Sequence, residues 1–379
     1  MSDIEKSRNL LDEIDDKIVK LYAQRMQIVK EIGIVKGQSK INLYDEAREQ
    51  SIICRVTKPV DPEIKVFTKQ LFMTILDTSK AYQSRYATPN TQITSVLKNA
   101  LIERSKPPVD AVIACQGVEG SYSSIAAEKL FQIPDITYFK TFDGVFNAVE
   151  SGLCQFGVLP IENSTAGSVN AVYDLMRKYN FHIVRSIKLP VRHSLLAKKG
   201  TTKKDLKEIF SHEQAITQCN EYLKQFKNVK ITLCENTALA AKLTADSPNL
   251  NVASLSAPRC AEMYGLSALE SDVQDSDRNY TRFICITKKL TIYSGADKIS
   301  IMINLPHEPG SLNRLLSKFS SIGLNLTKLE SRPSSGSNFE FLFYFDFVGD
   351  LENHEVFSLI TDLSSNADKF AFLGCYREE

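Results

Sequence analysis

The chain has 379 residues, 43% hydrophobic and 24% charged, with a net charge of +1 and no Trp. Such a length exceeds one ordinary hydrophobic core and predicts two or three domains. Near-neutral charge argues against a broadly basic nucleic-acid binder, yet leaves room for a local cationic pocket that receives an anionic metabolite.

The N-terminus, MSDIEKSRN, is polar and lacks the apolar run of a signal peptide, and no stretch approaches the length of a membrane span. A cytoplasmic protein is expected. From residue 11 to 35, Leu11, Ile14, Ile18, Leu21, Arg25, Ile28, Ile32 and Val35 alternate steps of three and four, the seam of a long helix. A second helix begins near Asp45, and a third follows Asp61-Pro62 with Ile64, Phe67, Leu71 and Ile75. Three helices of such unequal length cannot enclose a deep core. An all-α helical dimer domain is therefore predicted over residues 1–90.

Charge falls on the inward faces of these helices. Arg25 occupies a seam position, where an unpartnered guanidinium is costly. Alone, it would be explained by an ion pair within the bundle or by snorkelling outward. Lys36, however, lies only about 20° from Arg25 around an ideal helix. Asp45, Arg48 and Glu49 share a face with Ile52 and Val56, while Phe72 and Leu76 lead on one face to Ser79 and Gln83. The repetition predicts a cationic pocket with apolar walls.

Residues 91–108, bounded by prolines, read as a linker with a short helix. Over 109–288, strands AVIACQ, ITYF, FGVLPIENS, FHIVRSI, VKITLCE, NVASLS and FICI alternate with helices over SSIAAEKLF, GVFNAVESG, ITQCNEYLKQF and ALAAKLTA. This rhythm predicts a two-lobed α/β domain of the periplasmic-binding-protein-like kind. Four polar motifs punctuate it: GVEGSYSS (117–124), PIENSTAGS (160–168), SHEQAITQC (211–219) and NYTRF (279–283). The first opens a helix after a strand, where backbone N–H groups can receive an anion. Ligands gather where strand ends face a crevice. NYTRF begins its strand, so it reaches that crevice only if the strand runs antiparallel to its neighbours. Eight Cys without a Cys-x-x-Cys, and five His without a His-Glu-x-x-His, argue against zinc or iron–sulfur ligation. Cys285 within FICIT fits a buried reduced thiol.

Over 297–379, Ile299, Ile301, Ile303 and Leu305 alternate as a strand, and Leu312, Leu315, Leu316 and Phe319 mark an amphipathic helix. LNLTKLESRP is a strand, and Phe339, Phe341, Phe343, Phe345 and Phe347 line one face of the next. A helix near 354–364 and the strand KFAFLG complete a β-α-β-β-α-β, ferredoxin-like α+β order.

The first segment resembles the all-helical chorismate mutase family, whose pocket residues Arg8, Arg25, Lys36, Asp45, Arg48, Glu49, Ser79 and Gln83 match in type and order. The resemblance implies an intertwined dimer in which Arg8 reaches into the partner's site. Arg8, Arg25 and Arg48 would clamp the carboxylates of chorismate. Lys36 and Gln83 would donate to its ether oxygen, and Glu49 and Asp45 would hold its hydroxyl and orient the cations. The rearrangement is unimolecular, so conformer selection and charge stabilisation suffice, without a metal or cofactor.

The four motifs of 109–288 resemble the prephenate dehydratase family, PIENS and TRF most specifically, with NTALAA and SLSAPRCAEMYGL in support. The resemblance implies that Thr281 is the catalytic hydroxyl and that Glu162, Asn163, Ser164, Ser211, Gln218 and Arg282 line the cleft for prephenate. Arg282 would bind a substrate carboxylate or orient Glu162. Glu213 stands where the family usually has Pro. The last segment resembles the ACT regulatory module. PGSLNRLL and ESRP match its phenylalanine-binding stretches, which implies Gly310, Ser311, Leu312, Asn313, Glu330, Ser331, Arg332 and Pro333 as a regulatory site. Ser311 and Asn313 depart from the usual Gly-Ala-Leu-Val.

Together these segments resemble the bifunctional chorismate mutase–prephenate dehydratase (P-protein) family. The resemblance implies conversion of chorismate to prephenate and then to phenylpyruvate, with feedback by phenylalanine, in a homodimer or higher homo-oligomer with neither nucleic-acid nor membrane partner. Two rivals stand beside it: a dehydratase with an inactive mutase-like scaffold, and a non-catalytic amino-acid-binding regulatory protein.

Overall fold

The computed structural model describes residues 3–39, 45–86, 92–333 and 341–379; Phe339 of the predicted aromatic row lies outside them. Two compact units are formed, one from residues 1–102 with 299–371, the other from 103–298 with 372–379.

The first unit opens with α1 (Asp3–Ser39), α2 (Glu46–Thr57), α3 (Lys65–Ser84) and α4 (Gln92–Ile102). Asp45 caps α2, its carboxylate accepting from the Arg48 N–H at 2.9 Å. Helix α1 packs on α3, where the Tyr22 hydroxyl donates to Thr78 Oγ1 at 2.9 Å. A Cβ at Gly33 would come within 3.1 Å of the Gln83 backbone, so glycine permits the close approach of these two helices. Leu76 and Ser79 face inward from α3, whereas Ile64, Phe67 and Leu71 are exposed. The apolar seam residues of α1, from Leu11 to Val35, are each 42–64% exposed.

The second unit has two lobes. The first is built from β1 (Asp110–Gln116), α5 (Tyr122–Leu130), β2 (Ile133–Phe139), α6 (Phe142–Glu150), β3 (Phe156–Asn163), β4 (Gly167–Ser168), α7 (Asn170–Tyr179) and β5 (His182–Pro190). The chain then crosses to the second lobe, with β6 (Ser194–Ala197), β7 (Glu208–Ser211), α8 (Glu213–Gln218), α9 (Asn220–Leu223), β8 (Lys230–Leu233), α10 (Thr237–Asp246), β9 (Val252–Ser256), α11 (Arg259–Met263) and β10 (Ser267–Glu270). It returns through β11 (Tyr280–Thr287). The strand orders are β5-β11-β3-β1-β2 and β10-β6-β9-β7-β8.

Strand β1 runs parallel to β2 and β3, while β11 runs antiparallel to both β3 and β5. The start of β11 thereby meets the end of β3, with Thr281 opposite Asn163. This is the reversal that brings NYTRF to the crevice. The helix expected over ITQCNEYLKQF is two short helices, because the backbone at Cys219 (φ −119°, ψ 27°) leaves the helical region. Helix α7, absent from the sequence expectations, buries Val172, Tyr173 and Met176 and ends at left-handed Asn180. All eight Cys are free thiols, six of them buried, and burial pushes the Cys285 thiol up to about 12.

The C-terminal segment runs β12 (Lys298–Leu305), α12 (Ser311–Ser321), β13 (Leu326–Pro333), β14 (Phe341–Val348), α13 (His354–Asn366) and β15 (Phe370–Glu378), the β-α-β-β-α-β order expected. Phe345 and Phe347 are wholly buried against Phe319, while Phe341 and Phe343 are half-buried. The end of β15 belongs to the second unit, where Arg377 and Glu378 pair with Arg185 and Ser186 of β5. Among the described residues no helix is long and apolar enough to cross a membrane.

Candidate active site

A cleft of about 350 Å³ opens between the lobes of the second unit. Thr281, 8% exposed, lines it beside Asn163. The Asn163 amide nitrogen donates to Thr281 Oγ1 and to Asn279 Oδ1, both at 2.8 Å. Its oxygen accepts from the backbone N–H groups of Thr165 (3.0 Å) and Ala166 (2.8 Å), which fixes the amide's orientation. Thr281 Oγ1 accepts this bond, so its own O–H remains available as a donor.

Helices α5 and α10, of nine and ten residues, begin at this cleft with Ser121–Ser123 and Asn236–Thr237. Their N-termini direct partial positive charge toward it. Among the described lining residues there is no Lys or Arg, and Glu235 carries the only fixed charge. Two histidines that the sequence did not single out also line the cleft. His193 is 2% exposed and its Nε2 stands 3.0 Å from Gln218 Oε1. Burial lowers its pKa below the ordinary 6.5, so it is a neutral imidazole at pH 7 and its Nε2–H donates to Gln218. His193 Nδ1 and Gln218 Nε2, both buried, have no hydrogen-bond partner among the described residues. His212 caps α8 by accepting from the Gln214 N–H at 3.2 Å, so the helix starts at Glu213 without the family's usual Pro.

Of the seven residues predicted for this site, the structure brings Thr281, Asn163 and Gln218 into the cleft. The other four lie elsewhere. Side chains alternate along a strand, so with Thr281 facing the cleft its neighbour Arg282 faces away. Arg282, paired in register with Glu162, has its Nη1 3.9 Å from the Glu162 carboxylate on that rear face. This corrects the expectation that Glu162 and Arg282 line the cleft, and leaves Arg282 in contact with Glu162 rather than a substrate carboxylate. The Ser164 hydroxyl donates to Arg278 O and accepts from the Tyr280 N–H, both at 2.9 Å. Ser211 is fully buried, donating to Leu255 O at 2.9 Å. Both serines hold backbone rather than line the cleft.

In the helical segment, half-buried Arg25 donates to Ser79 Oγ, and burial lowers its pKa below the ordinary arginine value. Gln83, whose Oε1 is buried without a hydrogen-bond partner among the described residues, lies against Gly33. Half-buried Lys36 follows one turn later on the same helix face. Glu49 pairs with Lys80 Nζ at 3.0 Å, and Lys80 also with Asp77 at 3.1 Å. Lys80, adjacent to Ser79, escaped the sequence reading. Asp45 and Arg48 are exposed at the start of α2. Arg8 is exposed and lies about 26 Å from Arg25 along the axis, at 1.5 Å per residue, so it cannot share that site within one chain.

Residues 113–291 match the family model of prephenate dehydratase, and residues 7–84 that of chorismate mutase type II. The chloroplastic arogenate dehydratase/prephenate dehydratase 2 of Arabidopsis thaliana is 37% identical over 276 residues, covering 70% of this chain and 72% of the relative. The bifunctional chorismate mutase/prephenate dehydratase of Escherichia coli (strain K12) is 29% identical over 381 residues, 98% of this chain and 95% of the relative. The chain belongs to the bifunctional chorismate mutase–prephenate dehydratase family. The solved prephenate dehydratase of Arthrobacter aurescens in complex with L-Phe has a TM-score of 0.63 and 27% identity, covering 70% of this chain and 89% of that one.

In this member of the family, the C-terminal segment holds a further cavity of about 340 Å³, lined by Leu305–Pro309, Ser311, Leu312, Phe341 and Phe343. Of the eight residues expected to form a regulatory site, Ser311 and Leu312 are in this lining. Gly310, at φ 85°, precedes α12 in the left-handed region, and Asn313 is exposed. Glu330, Ser331, Arg332 and Pro333 are on β13 and not in the lining, although Ser331 pairs in register with Phe343.

Proposed function

We propose that the chain rearranges chorismate to prephenate among α1, α2 and α3, and converts prephenate to phenylpyruvate at Thr281, two successive steps of phenylalanine biosynthesis. The observation that carries the second assignment is the Thr281 hydroxyl, oriented by Asn163 toward a cleft between lobes. The ring C–O bond of prephenate breaks as the Thr281 proton passes to the departing hydroxide, giving water. The C–C bond to the ring carboxylate breaks with it, giving carbon dioxide, and that electron pair completes the aromatic ring. A Thr hydroxyl is a weak acid, so it serves as a positioned donor whose proton is restored from the cleft. The helix N-termini of α5 and α10 and the amide of Gln218 receive the substrate's anionic groups, the task that Arg282 cannot perform from the rear face.

In the helical site Arg25, anchored on Ser79, and Arg48 hold carboxylates, while Lys36 and Gln83 donate to the breaking ether oxygen. A second copy of the chain completes that site with its Arg8 and covers the exposed seam of α1. Full burial of one large apolar side chain is worth about 1.5–3 kcal/mol, so covering seven half-exposed ones stabilises a dimer by several kcal/mol per chain. Phenylalanine occupies the C-terminal cavity of an ACT module, its carboxylate at the start of α12 and its ring against Phe341 and Phe343. The L-Phe complex of the Arthrobacter protein supports this reading.

Chorismate turnover followed by NMR tests the sequence of reactions: prephenate signals rise and decay as phenylpyruvate appears. Failure of prephenate to form, or its accumulation without phenylpyruvate, removes one assignment or the other. For the regulatory cavity, phenylalanine raises the melting temperature and tyrosine does not; equal responses to both amino acids contradict it.

A further inference from the structure

Behind the Thr281 strand, on the face away from the cleft, one carboxylate gathers three cations. Glu378 Oε1 lies 2.8 Å from Lys188 Nζ, and its Oε2 lies 2.9 Å from both Lys298 Nζ and Arg282 Nε. The Arg282 contact is an ion pair, and the same guanidinium donates from Nη2 to the Tyr376 hydroxyl. Arg282 is only 5% exposed, so its charge depends on these partners. Burial alone would raise the Glu378 pKa, but hydrogen bonds from Lys188 and Lys298 and the charge of Arg282 bring it down to about 2. The group is a carboxylate throughout the neutral range.

The cluster sits beside an irregularity of the sheet: the register between β11 and β3 shifts between Arg282 and Phe283, where Ile161 of β3 is the extra residue, while β11 stays in step with β5 at these residues. Bulges bend a strand and re-aim the side chains beside them. We propose that Glu378 is a positioning residue for the dehydratase: by holding Arg282 behind the bulge, it sets where the Thr281 hydroxyl stands in the cleft. Glu378 touches no cleft residue, so it acts on the geometry of bond breaking and leaves substrate contacts in place. The inference rests on the assignment of Thr281.

The test is made on the full chain, with Glu378→Gln preserving shape and removing charge. A small misplacement of a reacting group can cost about 100-fold, so kcat for prephenate falls by about 10- to 100-fold. KM changes less than about threefold, mutase turnover stays at the wild-type level, and the melting temperature falls, because three cations lose their shared carboxylate, but stays above the assay temperature. In the double variant Arg282→Gln/Glu378→Gln the loss is no larger than in Arg282→Gln alone, because Glu378 acts through Arg282. A near-normal kcat in Glu378→Gln, a loss matched by unfolding, or losses that multiply in the double variant overturns the proposal. Thr281→Val, assayed alongside, separates the two readings. If it stays active, the Thr281 assignment falls; if it is inactive while Glu378→Gln is normal, only the positioning role falls.

Discussion

Thr281→Val abolishes phenylpyruvate formation from prephenate, by about 10³-fold or more, and leaves chorismate rearrangement intact. Positioned proton donors contribute about 10²–10⁴-fold, and this cleft offers no lysine or arginine among its described lining to take over. The substitution keeps the side chain's shape and removes the hydroxyl assigned as the proton donor. It leaves Asn163 with an acceptor, Asn279 Oδ1 at 2.8 Å, so a buried amide is not stranded and the lobe stays folded. Thr281→Ser, which restores the hydroxyl, recovers activity to within about tenfold. Steady-state assay of both variants on prephenate, with melting curves as control, checks this. Normal turnover in the valine variant excludes the hydroxyl.

Lys36→Ala removes mutase activity by about 10²–10³-fold and spares dehydratase turnover on added prephenate. The loss follows from the chemistry: charge grows on the ether oxygen as its bond breaks, and a single preorganised donor to such a centre is worth that factor. Lys36 stands one turn beyond Gly33, where α1 seats on Gln83, so two donors share one stretch of the helix pair. The dehydratase cleft belongs to the other compact unit, and residues 3–39 contribute nothing to its lining. Assaying each substrate separately checks the split. Unchanged chorismate turnover removes Lys36 from the site.

Much of this organisation is legible in the residues because it is carried by periodicity. The long seam of α1, the aromatic alternation of β14 and the switch between strand and helix rhythms each report a buried face. The antiparallel sense of β11 is legible too, since only that direction brings NYTRF to the crevice. Other features are hidden by that same logic. Motif resemblance joins Thr281 to Arg282 and Asn163 to Glu162 as neighbours, yet strand alternation sends one of each pair to the opposite face. Ser211 and Ser164 look like ligands in a polar motif, and only the fold shows their hydroxyls on Leu255 O and Arg278 O. His193 gives no sequence signal because a single imidazole between Arg192 and Ser194 belongs to none of the four polar motifs. Glu378 is separated from Arg282 by 96 residues, beyond the reach of any local pattern.

If one chain carries two chemically independent sites in series, two variants that each lack one site complement each other in a mixture. Chorismate is supplied to Lys36→Ala, to Thr281→Val, and to an equal mixture of the two, with products followed by NMR. The first leaves chorismate untouched, the second accumulates prephenate, and the mixture produces phenylpyruvate after a lag. Phenylpyruvate from either variant alone, or none from the mixture, rules out two independent sites in series.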